Sequence, residues 1–191
     1  MCAVLGGVAS APGERVTRER GGGVRDADGG WAVRQQKVLW DAKGTAGIGC
    51  DMWDVHHCKN AVGRVGEMAP RMNQLLNTAR ARGALIIHAP SSCMEFYKNH
   101  PARKRAQAAP GAAVQPKAIE SWCHWIDKVE ESQGYPIDHS DGGEDDDPAE
   151  HAAWARHLAD LGRNPGSPWK RQVDLIEIDP KHDAISDNGI E

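Results

Sequence analysis

The sequence is poor in two of the three aromatic residues: one Phe and two Tyr stand against seven Trp. Large apolar volume is therefore concentrated at a few indoles, whose N–H groups need acceptors when buried. No apolar run approaches the ~20 residues that a membrane-spanning helix requires, so no membrane partner is expected. Positive charge is not in excess. The 23 Lys and Arg against 27 Asp and Glu give a net charge of -4, which removes the electrostatic reason to expect nucleic acid. The five cysteines, Cys2, Cys50, Cys58, Cys93 and Cys123, are odd in number and contain no Cys-x-x-Cys pair. They argue against a disulfide framework and for free thiols in a reducing, cytoplasmic compartment. Internal repeats are lacking as well.

What is present is one complete strand, helix, strand unit across residues 45–91. At its right end, Ala84-Leu85-Ile86-Ile87-His88-Ala89-Pro90 is a short continuous apolar run, introduced by Gly83 and stopped by Pro90, which suits a buried strand of a parallel sheet. Before it, Met68, Met72, Leu75, Leu76 and Ala79 recur at helical spacing. Pro70 reads as a first-turn residue, Arg80 and Arg82 suit a helix C-terminus, and Gly83 suits its cap. At the left end, Ala46-Gly47-Ile48-Gly49-Cys50 reads as the first strand despite two glycines, which cost backbone entropy and offer no side chain to pack. The acidic sequel favours the strand, because open parallel sheets place their working groups just beyond strand C-termini.

Three separated motifs carry a resemblance: Cys50-Asp51-Met52-Trp53-Asp54 with His56-His57-Cys58, then Ala79-Arg80-Ala81-Arg82-Gly83, then Leu85-Ile86-Ile87-His88-Ala89-Pro90-Ser91. Together they resemble the isochorismatase-like cysteine hydrolases. Further similar segments are Phe96-Tyr97 with Pro101-Ala102-Arg103-Lys104-Arg105, Pro136-Ile137-Asp138 with Ser140-Asp141-Gly142-Gly143, Trp169-Lys170-Arg171-Gln172, and Asp183-Ala184-Ile185-Ser186-Asp187. The resemblance covers residues 37–191. It implies an α/β fold built as a three-layer, doubly wound, mostly parallel sheet, and hydrolysis of a C–N, amide-type bond of a small-molecule substrate.

It also implies a triad of Asp, Lys and Cys, in which the thiolate attacks an electrophilic carbon, the Asp carries protons, and the Lys stabilises charge. Asp51 matches the Asp at the end of the first strand, with Asp54 in reserve. An exposed strand-end acid is the plainer alternative. Residues 173–178 alternate like a third strand, and Lys181, just past them, matches the family Lys; an ordinary solvated loop lysine is its alternative. The family's Cys segment follows a later strand and has no counterpart before Glu191. The chain accordingly reads as an incomplete hydrolase domain lacking its C-terminal part, and as inactive in this form. A non-catalytic remnant or binding module is the second reading. A sheet cut short in this way leaves an open edge and an apolar face, and invites self-association as a homo-oligomer or as aggregate.

Residues 1–36 read as a flexible N-terminal arm. Its Ala9-Ser10-Ala11 echoes a leader cleavage site, but no basic region precedes it, and Gly21-Gly22-Gly23 and Gly29-Gly30 favour flexibility. Trp31 and Trp40 are candidates to dock the arm. Asp51, Asp54, His56, His57 and Cys58 invite a metal, yet a strong zinc signature needs a second defined ligand pair, and none is visible. Nor does His88-Ala89-Pro90 reproduce the acid-and-histidine metal set of the nicotinamidases within that family. No metal and no cofactor is therefore expected. Residues 98–104 are basic and 106–117 rich in Ala, Gln and Pro, which reads as a long excursion over the sheet edge in which Arg103 or Arg105 either meets a substrate carboxylate or is simply solvated. Residues 119–129 and 149–161 show helical spacing. The acidic run 138–147 lacks the spacing of a calcium loop and reads as solvated.

Overall fold

A computed structural model of the 191-residue chain describes residues 3–6, 15–25, 27, 31–114 and 145–188, with backbone alone for 3–6, 15–25 and 31–40. The protein is α/β. Strands β1 (Ala3–Gly6), β2 (Arg15–Arg25) and β3 (Trp31–Asp41) precede β4 (Thr45–Cys50), helix α1 (Lys59–Ala81) and β5 (Leu85–Ala89). Helices α2 (Met94–Tyr97), α3 (Pro101–Gln107) and α4 (Pro148–Asp160) and strand β6 (Ala184–Ile185) follow. The main sheet has the order β1-β4-β5-β6. Its β4, β5 and β6 are parallel, while β1 lies antiparallel on β4 with Ala3 opposite Ile48. β2 and β3 form a separate antiparallel pair, Arg15 opposite Asp41 and Arg25 opposite Trp31. Within the stretch read as a flexible arm, residues 3–6 lie in the main sheet and residues 15–25 pair with residues 31–41.

The expected β4-α1-β5 unit is present, and its two glycines have a packing role. A Cβ on Gly49 would lie 3.1 Å from Met72 Cε, and one on Gly47 would lie 3.4 Å from Ile86 Cδ1 and 3.9 Å from Leu76 Cδ2. Their bareness lets α1 approach the strand backbone. The buried stripe is Val65, Ala69, Met72, Leu76 and Ala79, packed with Met52, Ile86, Val173 and Ile176. Met68 and Leu75, expected in that stripe, are about half exposed. The helix begins nine residues before Met68, so Pro70 is an interior residue rather than a first-turn one. Its ring offers no N–H to the carbonyl of Gly66, and its exposed position leaves that carbonyl to solvent. The C-terminus follows expectation. Gly83 at φ 92° gives its N–H to Arg80 O (2.9 Å), and Ala84 gives its own to Ala79 O (3.1 Å), a Schellman closure.

The strand expected over 173–178 does not form. Alternation fails there, since the successive residues Asp174 and Leu175 are both exposed and Leu175 does not share the partial burial of Val173. The N–H groups are spent elsewhere: Val173 on Met52 O (2.8 Å), Ile176 on Val173 O (3.2 Å) and Glu177 on Asn73 Oδ1 (3.0 Å). The place beside β5 belongs to Ala184–Ile185, with Ile87 opposite Ala184 and His88 opposite Ile185. The excursion is also corrected over 101–107, which form α3. Pro101 at N1 and His100, whose Nδ1 accepts the Ala102 N–H at 3.1 Å, start α3. Its Ala102 and α2's Tyr97 pack with Cys93 and Ile185. The helix expected over 119–129 lies outside the described residues. The one expected over 149–161 is α4, capped by Asp147 and closed by Gly162 at φ 68°. No helix among the described residues is long and apolar enough to cross a membrane.

Candidate active site at the carboxyl edge of the sheet

Asp51 leaves β4 in the left-handed region, at φ 53°, an uncommon conformation for a residue with a Cβ, though one that Asp and Asn adopt more readily than most. Its N–H donates to Ala89 O (3.0 Å), which continues the β4–β5 ladder by one bond. Its carboxylate Oδ1 accepts the Ser91 N–H at 3.2 Å, and the residue is exposed. Among the described residues no cation pairs with it. The next residue, Ser92, is also left-handed (φ 63°), and its N–H donates to Asp187 Oδ2 at 3.1 Å. Asp187 stands two residues beyond β6. Consecutive amides of the loop after the central strand therefore hold carboxylates from the two flanking strands.

Aromatic residues wall this edge. The Trp53 indole donates to Ser91 O (3.1 Å), stacks on Trp169 with ring centres 4.4 Å apart, and lies 5.7 Å from the nearly parallel His56 ring. His56 Nδ1 accepts the Cys58 N–H (3.1 Å), so the imidazole is neutral with its proton on Nε2, while His56 O accepts the Trp154 indole N–H (2.9 Å). These bonds answer the demand that many indoles impose. Beside them is a cavity of about 170 Å³ lined by Asp51, Trp53, Val55, His56, Ala61, Val62 and Val65.

The reserve candidate Asp54 is committed elsewhere. Its side chain, 9% exposed, pairs with Arg163 (2.9 Å) and Arg171 (3.9 Å) and accepts the Lys170 N–H (3.1 Å). Lys181 is not brought to Asp51. It is exposed and precedes β6 by three residues, on the rim of an open cleft with Asn77, Arg80 and Glu177, whereas Asp51 follows β4. In a parallel sheet those are opposite ends. Arg103 and Arg105 serve the fold: Arg103 is buried and donates to Ile185 O (3.2 Å), and Arg105 donates to Asp183 O and Pro180 O.

Two of the three described thiols, Cys93 and Cys58, are poorly suited to attack. Cys93 is pushed up to about 11 by burial, assisted by the negative charges of Asp54, Asp187 and Asp51. Cys58 Sγ is the N-cap of α1, accepting from Ala61 N (3.3 Å) and donating to Asp145 Oδ1 (3.1 Å). The five-residue metal set suggested by the sequence does not converge; Cys58, Asp145 and Asp146 do, with ligand atoms within 4.8 Å of one another. Their lone pairs already serve α1. Asp146 accepts the Lys59 and Asn60 N–H groups (2.6 and 2.7 Å), and Asp145 binds Arg64 (2.6 Å), so part of the acidic run is a helix cap rather than a solvated loop.

Sequence reasoning missed a buried polar network behind the site. His88 and Asp183 are both fully buried, His88 Nε2 meets Asp183 Oδ2 at 3.0 Å, and His88 Nδ1 meets Gln172 Oε1 at 2.9 Å. Arg80 adds two bonds to Asp183 (2.8 and 2.6 Å), and Asp179 N–H a third (2.7 Å). Burial alone would raise the Asp183 carboxyl, but the donors from His88, Arg80 and Asp179 outweigh it and hold it well below the usual carboxylate range. The network joins β5, the last turn of α1 and the approach to β6. Its signal in the sequence was a histidine inside an apolar strand, which needs a buried partner.

No protein-family model, no curated protein and no solved structure matches this chain.

Proposed function

We propose that the carboxyl edge around Asp51 is the proton-transfer centre of an isochorismatase-like cysteine hydrolase, acting on a C–N bond of a small amide within a three-layer, doubly wound sheet. The observation that carries the reading is Asp51 itself: an exposed carboxylate, fixed through Oδ1 to Ser91 N–H in a left-handed conformation beside a small cavity. Backbone held in such a region is enriched at working sites. In the proposed reaction a cysteine thiol gives its proton to Asp51 and its sulfur adds to the amide carbonyl carbon. Collapse breaks the C–N bond, and the amine leaves with the proton from Asp51. Water then returns a proton to Asp51 as its oxygen displaces the sulfur, and the thiol is restored. Cys58 and Cys93 are not that thiol, for the reasons of hydrogen bonding and burial given above.

That same observation about the thiols favours a second reading, a binding module that uses the cavity without turnover. Ammonia release from a panel of small amides by the protein and by its D51N variant separates the two. Turnover lost at least a hundredfold in D51N supports the hydrolase, and turnover unchanged in D51N removes Asp51 from the reaction. Saturable binding of amides with no turnover supports the binding module.

A further inference from the structure

We infer that the cavity beside Asp51 selects a small flat organic cation, an amidinium or a protonated amine on a ring of benzene size. The inference rests on the reading of this cavity as the functional site. Size comes first. At about 170 Å³ the cavity is close to the ~150 Å³ apolar hole known to admit one benzene molecule. Shape follows from the wall, where Val55, Ala61, Val62 and Val65 supply aliphatic surface and Trp53 and His56 supply two π systems.

Charge decides the class. The two ionisable groups of the lining are Asp51 and His56. His56 accepts the Cys58 N–H through Nδ1 and is therefore neutral, so the sign of the cavity is set by Asp51. One oxygen of Asp51 is held by Ser91 N–H, and among the described residues no Lys or Arg pairs with it. Nearby, Asp187 adds a second exposed carboxylate on the neighbouring amide. The cations close in sequence, Lys59 and Arg64, pair with Glu150 (3.9 Å) and Asp145 (2.6 Å), and Arg163 and Arg171 pair with Asp54. Among the described residues, an anion entering here would meet the Asp51 carboxylate and no cation, and a neutral guest would leave the charge of Asp51 uncompensated. A flat cation matches both the carboxylate and the rings, since a cation beside an indole is attracted by its quadrupole. The donors of an amidinium also suit a carboxylate geometrically.

The test uses three guests of nearly one shape and three charges: benzamidinium, benzamide and benzoate, titrated calorimetrically into the full chain. Benzamidinium is expected to bind about tenfold or more tightly than benzamide, with benzoate weakest, as one charge interacting at a partly exposed site provides. In D51N the preference for benzamidinium over benzamide should shrink to about twofold or less. The variant K181Q, altered at the opposite end of the sheet, should keep the full preference. Raising salt from about 20 mM to about 500 mM should narrow the gap in the wild type, a check that needs no variant to fold. Equal affinity for benzamidinium and benzamide, or tightest binding of benzoate, overturns the inference. Amide turnover that depends on Asp51 but shows no cation preference would remove this inference and leave the hydrolase reading standing. Cation-selective binding with no amide turnover would do the reverse.

Discussion

The Asp51 carboxylate accepts the Ser91 N–H at 3.2 Å and thereby ties the end of β4 to the loop that follows β5. With Asp51 at φ 53°, its side chain and its backbone conformation are both in use. Asn keeps the acceptor oxygen and tolerates the left-handed region, whereas Ala loses the acceptor and pays the steric penalty of its Cβ. D51A should lower unfolding stability by about 2 kcal/mol, and D51N by less than half as much. Urea denaturation of the two variants checks the order. A D51A variant as stable as the wild type would show that this conformation carries no strain.

Glycines in the protein divide by role. Gly63 and Gly66 lie inside α1 with open space around their Cβ positions, so G63A and G66A should each add about 0.5–1 kcal/mol of stability. Gly83 is different: φ 92° and the Lys43 side chain 3.1 Å from its Cβ position predict that G83A costs about 1–2 kcal/mol. Thermal melts of the three variants should move in opposite directions.

The Asp183 carboxyl is held below its ordinary value of 3.8 by donors that outweigh its burial. The folded protein therefore releases this proton more readily than the unfolded chain does. Its contribution to stability is fully present above pH about 4 and is lost as pH falls from there toward the folded value. Denaturant midpoints measured from pH 6 down to pH 2.5 should fall most steeply below pH 4. In D183N, if the variant folds, that part of the slope should be absent.

Asp54 serves the fold rather than proton transfer. D54N leaves Arg163 without its charge partner, while Arg171 keeps Asp174, and should cost about 2–3 kcal/mol. Because Asp54 is outside the cavity, benzamide affinity measured well below the melting temperature should change by less than about threefold, a shift near 0.7 kcal/mol. A larger loss of affinity without loss of stability would place Asp54 in the site.

Local patterns in the sequence were informative wherever the determining interactions are local. The apolar run at Leu85–Ala89, the Gly83 cap and the α4 spacing depend on neighbours within a turn or two, and each forms as expected. The edge position of Asp51 was legible because a strand end is a local event. The failures lie where distant groups decide. Residues 173–178 alternate like a strand, but Met52 and Asn73 capture their N–H groups and Ala184–Ile185 takes the sheet position, so Lys181 falls at the opposite end from Asp51. Basic residues at 103 and 105 suggested solvent or substrate, and instead bond the carbonyls around β6. The glycines of β4 looked like a weakness and are the surface on which Met72 and Leu76 pack.

The most direct test of the central claim, that the working site is at the carboxyl edge of the sheet, is an NMR titration of the ¹⁵N-labelled protein with benzamide. The Trp53 indole N–H, bonded to Ser91 O, is a built-in reporter. The expected result is a set of saturable shifts at the Trp53 indole and at the amides of Asp51, Ser91, His56 and Val62, with Asn77, Arg80 and Lys181 unmoved. Shifts concentrated at Asn77, Arg80 and Lys181, with the Trp53 indole silent, would contradict it and move the site to the opposite end of the sheet.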